Sequence, residues 1–127
     1  MTAADALAPD AIARALIADF DREVALTRRT LEAIPADRLD FRPHPRSWTL
    51  AELAGHIAET PSWTPGWQQD EMDFAALDGY APVVPSDRDD LLRRFDDNVR
   101  SARELLGGFD DERMRAKWVA RMGEQVL

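Results

Sequence analysis

Cysteine is absent from the 127 residues, and histidine occurs only twice. The first absence removes disulfides, thiolate nucleophiles and cysteine-based zinc sites, leaving His, Asp and Glu as the metal-ligating side chains. Basic residues are also scarce: 16 Lys and Arg stand against 24 Asp and Glu, for a formal net charge of −8. A surface of that sign lacks the basic stripe that a phosphate backbone or an anionic lipid surface selects, so neither nucleic acid nor membrane is an expected partner. No apolar run approaches the roughly 20 residues needed to cross a bilayer, and Met1 to Pro9 has no positive region ahead of an apolar one. These absences predict a cytoplasmic protein. What is present, 45% hydrophobic and 31% charged residues, is the composition of one domain, residues 1–127, able to bury a core of its own.

Three amphipathic segments organise the chain. From Asp10 to Ile34 the positions Ala13, Leu16, Ile17, Phe20, Val24, Thr27, Leu31 and Ile34 recur at steps of three and four, and Pro35 disfavours helix just before itself. Prolines 35, 43 and 45 make the following run an extended connector. Thr49-Leu50-Ala51-Glu52 reads as a capping box opening a second helix with an inward stripe of Leu50, Leu53, Ala54 and Ile57, which Pro61 must end or kink. Residues from about 70 to 85, with Gly79, Pro82 and Pro85 among acids, read as a surface loop. A third helix starts at Ser86 and its following acids and carries the stripe Leu91, Leu92, Phe95, Val99, Ala102 and Leu106 to a left-handed stop at Gly107-Gly108. Asp110 to Arg115 suits one helical turn, whereas Trp118 to Leu127 shows neither a helical stripe nor alternation. The pattern predicts an all-α bundle, with two long helices and a shorter kinked one that leave one side of the seam uncovered.

Few residues offer chemistry. His56 lies about 110° from the centre of its helix's apolar stripe at 100° per residue, on the flank, with Gly55 beside it and Glu52 and Glu59 one turn away on either side. It reads either as a helix-surface histidine paired with glutamate or as a metal ligand. His44, between Arg42 and Arg46, reads as a solvent-facing loop residue, since two cations disfavour a bound metal. Trp48 reads as a core residue ahead of the capped helix, while Trp63 and Trp67 are open between core and pocket wall. The acidic pairs at 89–90, 96–97 and 110–111 read as solvated faces, and no serine sits in a nucleophile elbow.

The order of segments then matters as a whole. Asp19-Phe20-Asp21-Arg22-Glu23 on a long helix ending Leu31-Glu32-Ala33-Ile34-Pro35, then Leu39-Asp40-Phe41-Arg42-Pro43-His44, then Ser47-Trp48-Thr49-Leu50-Ala51-Glu52-Leu53-Ala54-Gly55-His56-Ile57-Ala58-Glu59, resembles the DinB-like family of bacterial metalloenzymes. The resemblance implies an up-and-down four-helix bundle, often a homodimer, with nickel or zinc held by three histidines. Only His56 carries over as a metal ligand. The family's last helix with its His-x-x-x-His pair has no counterpart here, so the domain is expected to be C-terminally incomplete and inactive alone. In complete form the resemblance implies a metal-dependent thiol S-transferase, isomerase or hydrolase acting on a small molecule. The alternative is a non-catalytic helical module that dimerises through the open seam, with Ile17, Val24, Phe95 and Val99 at or near the contact.

Overall fold

The structure, a computed structural model, describes residues 8–127. The reading of Met1 to Pro9 as free of a leader therefore falls mostly outside the described residues. Helices dominate: α1 (Ala11–Glu32), α2 (Leu50–Glu59), α3 (Arg88–Gly107) and the short α4 (Asp111–Arg115). A 3-10 segment (Thr60–Gln68) continues α2, and a second short 3-10 turn covers Phe74–Leu77. Among the described residues, none of these helices is long and apolar enough to cross a membrane.

α1 and α3 form the spine. Arg28 grips Asp96 with two hydrogen bonds of 2.9 and 3.0 Å, and Arg103 grips Asp21 at 2.9 and 3.1 Å, so residue numbers rise along one helix as they fall along the other. The pair is antiparallel. Leu31, Ala54, Ala58, Leu91 and Phe95 make one buried cluster, with Val24, Ile57 and Val99 packed against it. Ala13, Leu106 and Phe109 make a second at the other end, supported by Ile17, Phe20 and Met114. There α4 is tied to the start of α1 by the amide of Ile12 donating to Asp111 at 2.9 Å. Of the residues expected at a seam between copies, Phe95 lies in the first cluster, Val24 and Val99 pack against it, and Ile17 packs against the second. Part of that seam stays open as a hollow of about 240 Å³ lined by Phe20, Val24, Ile57, Pro61 and Phe95.

α2 turns a different face inward from the one its large residues suggest. Its buried positions are Ala51, Ala54, Gly55 and Ala58, while Leu53 is 47% exposed. Small residues let α2 approach α3 closely enough for Asn98 to donate to the Ala58 carbonyl at 2.9 Å. Leu53 instead joins Phe41, Trp48 and Leu50 around an outward apolar hollow of about 400 Å³.

The fold is mostly helical, but an all-α description leaves out a small sheet. β1 (Glu71–Asp73) pairs in parallel with β2 (Val119–Met122), which pairs antiparallel with β3 (Gln125–Val126). Gly123 turns the hairpin at φ +62°, a conformation that favours glycine, and its amide donates to Asp73 at 2.9 Å. Arg121 joins Glu71 at 2.8 Å across the parallel pair. Strands of two to four residues are too short to show alternation in sequence. Gly108, read as a left-handed stop, ends α3 at φ −90° instead, with its amide bonded back to Leu105.

Candidate functional site

The site is built from the start of α2. Thr49 accepts from the Glu52 amide at 3.1 Å, and the Glu52 carboxylate accepts from the Thr49 amide at 2.6 Å, which completes the capping box. That bond, chiefly, holds the Glu52 carboxyl below its ordinary value, with Arg42 at 3.6 Å adding to it. Glu52 is therefore spent on the helix start. Of the two glutamates flanking His56 in sequence, only Glu59 accompanies it in space.

His56 sits on the last turn of α2, where Thr60 Oγ1 donates to its carbonyl at 2.8 Å. Pro61 cannot donate to the α-helical ladder, and the chain tightens into the 3-10 segment that brings Trp63 round to the imidazole. Gly79, at φ +77°, reverses the 70–85 loop and returns Tyr80 to the same place. Tyr80 Oη lies 2.8 Å from His56 Nδ1, and Glu59 Oε1 lies 3.5 Å from that nitrogen. Three rings flank the imidazole: Trp48, Trp63 and Tyr80, at centroid distances of 5.2, 5.4 and 5.9 Å in edge-on or tilted contact. The His56 side chain keeps 30% of its surface accessible, Glu59 only 14%.

The loop that delivers Tyr80 is pinned at close quarters. A Cβ on Gly55 would lie 2.0 Å from the Val83 carbonyl oxygen, so any larger residue there displaces the loop. Glu59 Oε2 accepts from the Val83 amide at 3.3 Å. Its other oxygen, Oε1, is buried without a hydrogen-bond donor.

Sequence reasoning reached His56, its flank position and its glutamate partner. It placed Trp48 in the core, whereas the ring is 41% exposed and forms a wall of the His56 cluster. Tyr80 lies in the 70–85 stretch that reads only as a surface loop. Its role was hidden because a 24-residue separation and a glycine turn set its position, and neither is visible as periodicity. Trp67 points elsewhere, to a hollow of about 200 Å³ with Phe109, Met114 and Trp118, where Arg113 donates to the Trp67 carbonyl at 2.8 Å. His44 is exposed as expected, accepting from the Arg46 amide at 3.1 Å.

Asp90 departs from the solvated reading given to the acidic pairs. It is 4% exposed and accepts from the Ser86 amide at 2.9 Å and from Arg94 Nε at 3.0 Å, with Arg93 on its other oxygen. The Ser86 bond first, then the arginines, hold its carboxyl below the ordinary 3.8.

The residues present do not make a closed metal site. Among the described residues there is no group of three or more His, Asp and Glu placed to hold a metal ion. His56 offers one imidazole whose Nδ1 is already engaged by Tyr80, and Glu59 one carboxylate, short of the three protein ligands a catalytic zinc needs.

The family model of the DinB superfamily matches residues 19–125. No curated protein and no solved structure matches the chain.

Proposed function

Because the chain belongs to the DinB superfamily, we propose that it is part of a divalent-metal-dependent enzyme of the thiol S-transferase, isomerase or hydrolase type, with His56 as one ligand to nickel or zinc. The observation that supports this reading is the setting of His56. The imidazole is walled by Trp48, Trp63 and Tyr80, oriented through Nδ1, and has Nε2 without a protein partner among the described residues. An imidazole held through one nitrogen is oriented for whatever meets the other. His56 and Glu59 are too few donors to hold the metal by themselves. Tyr80 and Glu59 are positioning residues, and the aromatic walls limit water around the ring.

Calorimetric titration with Ni²⁺ or Zn²⁺ tests the ligand. One imidazole predicts weak binding, with Kd near 1 mM, or about 4 kcal/mol, abolished by His56→Ala. Tight one-to-one binding that survives His56→Ala would overturn the placement.

A second reading, a non-catalytic module that pairs as a homodimer, is favoured by the outward apolar surface of Phe41, Trp48 and Leu53. Contiguous apolar surface of this kind commonly marks an interface. Sedimentation at micromolar concentration decides it, and a cooperatively melting monomer that binds no hydrophobic dye counts against it.

A further inference from the structure

Beside Glu59, the end of α2, the segment after it and α3 line a cleft of about 360 Å³ that Val83 roofs. Its polar walls are Glu59 and Ser62 on one side and Arg94, Asp97 and Asn98 on the other. The bonds these groups already make determine what they have left to offer. Asn98 spends one of its two amide N–H groups on the Ala58 carbonyl, leaving the other and its carbonyl oxygen. Ser62 spends its hydroxyl proton on the Glu59 carbonyl at 2.6 Å, leaving lone pairs. Asp97 accepts from Arg100 through one oxygen at 3.1 Å, leaving the other. Glu59 Oε1 is buried and lies 3.5 Å from His56 Nδ1, so Glu59 gives the cleft its negative charge rather than an open oxygen. Besides the second Asn98 N–H, the donors are on Arg94, whose Nε is taken by Asp90 and whose terminal nitrogens have no protein partner among the described residues.

The cleft therefore presents acceptors and negative charge on Glu59, Asn98 and Asp97, with a guanidinium beside them. A bare cation would meet Arg94, an anion would meet Glu59 and Asp97, and an apolar ligand would leave the Arg94 guanidinium and the second Asp97 oxygen unanswered. A molecule carrying an ammonium and a carboxylate close together answers both signs at once. We propose that this cleft binds a small zwitterion of the amino-acid type, its ammonium toward Glu59 and Asn98 and its carboxylate toward Arg94. Charge-assisted bonds to a carboxylate are what a free guanidinium edge forms best. The proposal does not depend on a metal at His56.

The test is an amide-resolved NMR titration of the full chain with L-alanine, L-leucine and L-glutamine, run with a chelator present so that metal plays no part. Propionate and ethylamine, each carrying one of the two charges, serve as controls. Saturable shifts centred on Gly55, Val83 and Asn98 are expected with at least one amino acid. Either control should bind at least about tenfold more weakly. Glu59→Gln keeps the side-chain shape and should weaken binding by a similar factor, and Ser62→Phe, at an exposed rim position, should block it while leaving the remaining spectrum folded. No saturable shift with any of the three amino acids overturns the proposal, as does equal binding of a single-charge control, or binding unchanged in both variants.

Discussion

The first turn of α3 and the last turn of α2 each bury a carboxylate, and they treat it in opposite ways. At Asp90 both oxygens are engaged, by the Ser86 amide and by two guanidiniums, and the group anchors a helix start. At Glu59 one oxygen meets the Val83 amide and the other meets only the His56 ring nitrogen, at 3.5 Å and outside hydrogen-bond geometry. A satisfied buried charge stabilises the fold locally, whereas a half-satisfied one persists only where the surrounding structure holds it in place. The contrast sets a fully bonded carboxylate against a partly bonded one in a chain whose acids are otherwise mostly exposed.

The largest effect should come from the scaffold both regions share. Leu91, fully buried in the cluster next to Asp90, should cost about 2–5 kcal/mol as Leu91→Ala by urea denaturation. Both the Asp90 network and the His56 cluster should loosen together.

Next, Asp90→Asn should lower the urea midpoint clearly, because it presents an amide where two arginines and the Ser86 N–H require an acceptor. Glu59→Gln should have the smaller effect. The reverse order would mean that both carboxylates serve the fold alike.

The acid limb sharpens the contrast further. The Asp90 carboxyl titrates below its ordinary 3.8 in the folded protein. Its stabilising contribution is therefore fully present above that value and is lost as pH falls through the depressed folded value. The stability difference between wild type and Asp90→Asn should be constant from pH 7 to about 5 and shrink below about pH 4, followed by urea midpoints across that range.

The smallest effect is expected at Thr49→Ala, which removes the cap at the far end of α2 from His56 and should cost about 1 kcal/mol.

The elements legible in the sequence were those with local causes. The Thr49–Glu52 box, the α1 and α3 stripes, the single turn at α4 and the change of geometry at Pro61 each follow from residues within a few positions of one another. The inward face of α2 was half legible: Ala54 and Ile57 do pack on the core, but hydrophobicity also weights Leu53, whereas close approach to α3 selects Ala51 and Ala58. At the site, His56 and Glu59 share a helix and were readable as a pair. Tyr80, Trp48 and the Val83 roof come from loops, where a glycine turn and the absence of a side chain at Gly55 decide position. Asp90 looked like any exposed acid, since the arginines that bury it are common on polar helix faces.

The parallel pairing of β1 with β2 has a consequence for the order of folding. Glu71 meets Val119 across a long stretch of chain that includes all of α3, whereas Arg121 meets Val126 across a two-residue turn. Closing the longer loop costs roughly 2 kcal/mol more in chain entropy than closing the hairpin, with only three residue pairs to offset it. The sheet therefore belongs to the late events, after α3 and α4 have docked on α1 and brought the two strands within reach. By the same logic it is the first tertiary pairing to open. Amide hydrogens of residues 71–73 and 119–122 should exchange through local fluctuations while those of Leu91 and Phe95 wait for global unfolding.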